Sequence, residues 1–389
     1  MIRKNLPIRP NWVERCKEVG FDFCNLPSSD GSWYWSEGVA YELTLEQVDH
    51  LEDSTNELHA MCMEAVSDMV TRGDYHPAYG FGEGAKSLIQ TSWGRGDKHL
   101  YGRFDLAYDG QSIKMLENNA DTPTSLLEAS VVQWNWVEEA EGVPNRDQFN
   151  SLHEKLIDRW KIVGSSIAFM PRIHFVGHED AGREDWGNLE YLMDTAIQAG
   201  IDVTELTTAQ VGWDGTGFVD LEGKAIVGCF KLYPWEHMMA DEFGVNVTNA
   251  STRWIEPPWK MLLSNKALLP ILWQKHKGHP LLLPAFFDDG NLPTSGKWVR
   301  KPTLAREGAN VTMIEGGQQV KLSGSDFNTE YDKSGYVIQE WVDLPHIEGF
   351  RPIIGSWVIG DQAAGIGIRE DYNVVTGNDS HFVPHYFVE

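Results

Sequence analysis

The chain is short of cysteine, of positive charge and of long apolar runs, and each shortage removes a class of function. Four cysteines stand at positions 16, 24, 62 and 229 of 389 residues, with no Cys-x-x-Cys pair and no Cys/His spacing that suits zinc. Reduced thiols in a cytoplasmic setting are the plain reading. Lys and Arg number 32 against 57 Asp and Glu, a formal net charge of -25. That balance argues against nucleic acid or an anionic membrane as a partner. It suits a cationic substrate such as a polyamine, although on charge alone simple solubility is the stronger explanation, by about three to one. The longest apolar runs, near Leu268–Trp273 and Leu281–Phe287, are short and interrupted by proline, so no membrane span is expected. The first ten residues lack the apolar stretch of a signal peptide. No Walker A pattern occurs, which excludes a P-loop enzyme.

What is present points to a hairpin. Residues 101–119 read as two short strands around Asp109-Gly110, a strong turn signal between alternating residues. One strand offers Arg103 and Asp105, the other Glu117 and Asn119, and each pair, two residues apart, shares a face. Two carboxylates and an amide oxygen suit Mg²⁺, and the arginine suits an anion. The four groups converge only if the loop holds an odd number of residues or a bulge adds one. A three-residue loop, Tyr108-Asp109-Gly110 with Gly110 left-handed, is the expectation. An ordinary solvated hairpin would show the same polar face.

The rest of the chain is long enough for two or three packed units. Thr44 and Gln47 form a capping-box pattern that opens a long helix with apolar residues from Leu45 to Val70. After the hairpin, Thr122, Thr124 and Ser125 precede a helix; they could hold an anion or merely cap it. Residues 171–206 read strand–helix–strand, the sign of a parallel α/β unit. Residues 259–276 read as one helix carrying Lys266, and residues 297–302 as a strand ending near Lys301. A small flexible loop, 305–310, contains Glu307 and Gly308, and the later strands look antiparallel. Two lysines, a glycine-containing loop and a carboxylate-rich hairpin together suggest a nucleoside triphosphate site with Mg²⁺.

These words also carry a family resemblance. Gly102-Arg-Phe-Asp105, Leu116-Glu-Asn-Asn-Ala-Asp121, the segment from Ile255 to Leu269, Val299-Arg-Lys-Pro302, Arg306-Glu-Gly308 and Gln339-Glu-Trp341 resemble the synthetase domain of glutathionylspermidine synthase, among the ATP-grasp ligases. The likeness spans nearly the whole chain and is strong to stand-alone bacterial acid–amine ligases that carry this domain only. It implies an α+β, circularly permuted ATP-grasp fold with antiparallel sheets and an attached α/β pre-ATP-grasp-like domain. The implied units are 1–150 with the helical region and metal hairpin, 151–255 with the α/β domain, and 256–389 with the ATP-binding and lid region. By resemblance, Asp105, Glu117 and Asn119 match magnesium ligands, and Lys266 and Lys301 match the lysines that bind the ATP phosphates. Glu307 and Gly308 fall in the covering loop. Gln339, Glu340, Trp341 and Val342 match the strand whose backbone reads adenine. Arg103 and Arg369 match active-site arginines. Thr122, Thr124, Glu184 and Asp185 fall where substrate contacts are expected, the acidic pair by a loose match. The amidase of the family's bifunctional members has no room here, and Cys62 lacks a nucleophile's context. The implied activity is ATP- and Mg²⁺-dependent joining of a small-molecule acid and amine through an acyl phosphate, a carbon–nitrogen ligase. A nucleotide-binding protein with only ATPase activity or a regulatory role is the alternative.

Overall fold

The computed structural model describes residues 1–389 except 29–30, 169–170, 243, 307, 323–327, 329–330, 332–334 and 378–379. It is a mixed α+β molecule with mostly antiparallel sheets. The central sheet has five antiparallel strands in the order His381–Val383, Gln362–Asp371, Arg351–Ile359, Tyr101–Tyr108, Ile113–Asn119. Segments more than 200 residues apart in the chain thus meet in one sheet.

The long helix covers one face of that sheet. Thr44 accepts from the Gln47 N–H while the Gln47 side chain accepts from the Thr44 N–H, so the expected capping box is formed and the helix runs Leu45–Arg72. Its buried stripe includes Val48, Leu51, Leu58, Cys62 and Val66. Even-numbered residues of the strands answer it: Phe104 and Leu106, with Ile354 and Val358, belong to the same core. Ser356 meets Thr55 of the helix at 2.6 Å. Odd-numbered residues face the other way, and Trp357 joins a second core with Trp136 and Trp160. Arg103 and Asp105 are odd, so the alternation of a strand places them on the face away from the long helix.

A second sheet is wholly parallel, in the order Arg253–Ile255, Gly228–Leu232, Arg172–Gly177, Asp202–Thr207, as the strand–helix–strand reading anticipates. A third, antiparallel, carries Ala285–Phe287, Tyr336–Glu340, Lys297–Pro302, Thr312–Glu315 and Gln318–Lys321. The strand expected to hold Gln339, Glu340, Trp341 and Val342 stops at Glu340, with Trp341 and Val342 just beyond it. The single helix read over 259–276 is in fact broken. Met261–Ser264 and Leu268–Lys275 are separate helices, and Lys266 lies in the break. The Lys266 N–H bonds to the Thr303 carbonyl instead of an intrahelical one.

Among the described residues, no helix is long and apolar enough to cross a membrane.

Candidate active site

The hairpin loop differs from expectation. Tyr108 pairs with Ile113, leaving a four-residue loop from Asp109 to Ser112. Gly110 is left-handed as expected, at φ 97°. Asp109 Oδ1 accepts the N–H groups of Gln111 and Ser112, which closes the turn. A four-residue loop alone would leave Glu117 and Asn119 on the side of Ile113 and Met115, under the long helix. The chain corrects this with a β-bulge. Leu106 pairs with Met115 but Asp105 pairs with Glu117, so Leu116 is the extra residue. Glu117 and Asn119 thereby come to the face of Asp105 and Arg103, opposite each in turn. The bulge carbonyl, Leu116 O, accepts from Lys301 Nζ at 3.2 Å.

The charges then interlock. Asp105 accepts from Arg103 Nε at 2.7 Å and Arg369 Nη2 at 2.9 Å. Arg103 is buried, donates Nη1 to the Thr124 carbonyl at 2.6 Å, and lies over the Trp357 ring. Gly355, paired with Asp105, leaves space for it; a Cβ there would come within 2.8 Å of Arg103 Cδ. Glu117 Oε2 is 3.1 Å from Lys266 Nζ, and Glu117 Oε1 accepts from Asn119 Nδ2 at 3.2 Å. Burial would raise the Glu117 carboxyl, but the charges of Lys266 and Lys301 overcome it and hold the group at about 2. Burial pushes the Lys301 ammonium down to about 8, against the pull of Glu117 and with the push of Lys266. Lys301 also donates to Gln339 Oε1 at 2.8 Å, and Gln339 Nε2 donates to the Met115 carbonyl, stitching the lysine sheet to the hairpin.

A cavity of about 860 Å³ gathers these groups. Its wall includes Arg103, Asp105, Glu117, Asn119, Thr122, Thr124, Asp185, Lys266, Lys301, Gly308, Gln339, Glu340, Trp341, Val342 and Arg369. Glu184 is not on that wall. Its carboxyl is raised by burial and then by Asp185 beside it. Glu307 lies outside the described residues. Asp105, Glu117 and Asn119 share this wall and carry hard oxygen donors of the kind that could hold Mg²⁺.

Three further groups carried no role in the sequence reading. Arg306 donates to Thr122 Oγ1 and to Glu236 Oε1, both at 3.0 Å, and so fastens the 305–310 loop to the opposite wall. Its position in a quoted motif was the available signal. Glu128 is fully buried, accepts from the Tyr34 hydroxyl at 2.7 Å, and has no partner among the described residues for Oε2. Burial and the neighbouring Glu184 raise it to about 8. Gly355 gave no signal at all, because its role is to be absent beside Arg103.

The Ile255–Leu269 word also has a structural part. Glu256 accepts the N–H groups of Leu100 and Tyr101, both at 2.9 Å. Lys260 pairs with Glu256 at 2.7 Å and donates to the Tyr101 carbonyl. The buried pair pins the start of the strand that carries Arg103. Asp121 does the same at the hairpin's exit, taking Lys231 Nζ at 2.7 Å and the Trp235 N–H at 2.9 Å.

The family model described as glutathionylspermidine synthase preATP-grasp matches residues 3–388. The chain belongs to the glutathionylspermidine synthase family. A Haemophilus influenzae protein named "Putative acid–amine ligase" is 52% identical over 387 residues, covering 98% of each chain. Trypanothione synthetase of Crithidia fasciculata is 27% identical, covering 84% of this chain and 53% of its own. The bifunctional glutathionylspermidine synthetase/amidase of Escherichia coli is 24% identical, covering 88% and 58%. The chain therefore spans little more than half of those two longer relatives. Among solved structures, a glutathione synthetase-like effector of Globodera pallida shares the fold, with TM-score 0.58, 11% identity and coverage of 97% and 96%.

Proposed function

We propose that this member of the family is an ATP-dependent acid–amine ligase with a circularly permuted ATP-grasp arrangement. The observation that carries the proposal is the convergence of Asp105, Glu117 and Asn119 with Lys266, Lys301, Arg103 and Arg369 on one cavity. The relatives named as ligase and synthetases support the same reading. The parallel unit within 151–255 is the pre-ATP-grasp-like domain, 1–150 supplies the hairpin, and 256–389 supplies lysines and lid.

Asp105, Glu117 and Asn119 are the residues to hold Mg²⁺, which would neutralise phosphate charge and orient the nucleotide. The two arginines pair with Asp105, and Lys266 pairs with Glu117. These cations line the cavity and are placed to meet phosphate oxygens there. Lys266 and Lys301 bind phosphate, and the segment from Gln339 to Val342 receives the adenine. Arg103 and Arg369 stabilise the transferring phosphoryl group and orient the acid. The substrate carboxylate attacks the γ-phosphorus and ADP leaves. The amine nitrogen then attacks the acyl carbon, phosphate leaves, and the amine proton passes to solvent or a basic group. Thr122, Thr124, Glu184 and Asp185 are placed to contact the acid and amine. The loop at 305–310, held by Arg306, shields the reactive acyl group from water.

The test is a mass-spectrometric screen of acids and amines with ATP, following ADP, phosphate and a product lighter by one water than its two parts. Release of AMP would sink the mechanism. ATP hydrolysis indifferent to both acid and amine would establish the ATPase or regulatory alternative.

A further inference from the structure

A second set of metal-ligating side chains lies apart from the nucleotide cavity, whose wall includes none of them. His59 comes from the long helix. His99 comes from the segment that enters the Tyr101–Tyr108 strand. Asp361 sits in the turn between the Arg351–Ile359 and Gln362–Asp371 strands. His59 Nε2 is 3.3 Å and His99 Nε2 3.1 Å from the same Asp361 Oδ1. All three donor atoms lie within 4.8 Å of one another. Around a tetrahedral zinc ion with bonds of about 2.0–2.1 Å, donor atoms stand about 3.3 Å apart. The two imidazoles are buried and nearly parallel, 24° between planes, whereas the Asp361 side chain is 63% exposed. One side of the cluster is therefore open to water.

We propose that His59, His99 and Asp361 form a site for a divalent transition-metal ion, zinc foremost, separate from the magnesium ligands of the nucleotide site. Two imidazole nitrogens and one carboxylate oxygen are a borderline donor set that favours zinc over magnesium or calcium. Water would complete four-coordination on the exposed side. Arg159 Nη1, 3.8 Å from the other Asp361 oxygen, orients that carboxylate. Its charge, with that of nearby Lys260, opposes the cation and sets the expected affinity at micromolar rather than the far tighter binding of a closed structural site. The ion would join the long helix, the entry to the site strand and a turn late in the chain. Its effect is thus to brace the sheet rather than to take part in ligation. In the competing arrangement both Nε2–H groups simply donate to one carboxylate oxygen, and no metal is bound.

The experiment uses the full chain stripped with a chelator, then titrated with Zn²⁺ by calorimetry and with Co²⁺ by visible absorption, with excess Mg²⁺ present throughout. One equivalent of zinc at micromolar affinity is expected, with cobalt bands of an imidazole-ligated ion and a thermal midpoint raised by metal. Asp361→Asn, which keeps the side chain's size, should weaken zinc about tenfold or more and abolish the rise, and His59→Gln should do the same. Absence of stoichiometric uptake by the natural chain overturns the proposal. So does uptake that is unchanged in both variants.

Discussion

At the scale of single residues, the site depends on charges held close to their tipping points. Lys301 is held down to about 8 by burial, below its ordinary 10.5. The unfolded chain therefore binds more protons than the native one between those values, and stability gained from this group rises with pH across that window. Nucleotide phosphate favours the ammonium and works the other way. ATP binding above about pH 8 should take up a proton, and apparent affinity should fall as pH rises further. Calorimetry in two buffers of different ionisation enthalpy reads that proton; uptake that persists in Lys301→Met would remove Lys301 from the role. Gly355 makes a second prediction. Gly355→Ala places a methyl against Arg103 and should lower turnover about 100-fold by misplacing it. ATP affinity should stay near normal, since the lysines are untouched. Steady-state kinetics beside nucleotide titration separate the two effects, and equal loss in both would contradict the assignment.

At the scale of elements, the register across Leu116 decides whether the hairpin is a site. Removing Leu116 should abolish the bulge and leave regular pairing that keeps Glu117 opposite Asp105 and Asn119 opposite Arg103, while Lys301 loses the bulge carbonyl. Magnesium-dependent nucleotide binding and the fold should therefore survive the deletion, because it is register and not the bulge itself that sets the face. Adding one residue to the Asp109–Ser112 loop should leave both intact, because the strand pairing lies inside it. Circular dichroism with nucleotide titration of the two variants checks this; loss of binding in either folded variant would show that register is not the cause. These elements also show what was legible beforehand. Thr44 and Gln47 announce their helix by local chemistry, so its start was readable. Asp109-Gly110 announces a turn, and the need for one odd residue follows from the alternation of a strand. Where that residue sits does not follow, because Leu116 is held by Lys301, a partner far along the chain. The helix break at Lys266 was hidden for the same reason: its N–H is taken by Thr303. Apolar spacing across 259–276 carries no trace of that bond.

At the scale of the molecule, the cavity is closed by contact between distant segments. Arg306 reaches Thr122 and Glu236 from the lid, and the charge of Arg306 holds Glu236 low although burial would raise it. Arg306→Ala should loosen the lid without removing a phosphate ligand. We expect more phosphate released per amide formed, at least severalfold, with ATP affinity little changed. Parallel assays of phosphate and amide product measure that ratio; an unchanged ratio would deny the loop its shielding role. The shared central sheet has a consequence for synthesis. The strand Tyr101–Tyr108, buried along its whole length in the finished protein, takes its second neighbour from the strand that starts at Arg351. At translation rates of roughly 5–20 residues per second, that neighbour emerges on the order of ten seconds or more after the hairpin. For that interval the nascent chain presents an open strand edge, which invites mispairing and chaperone capture.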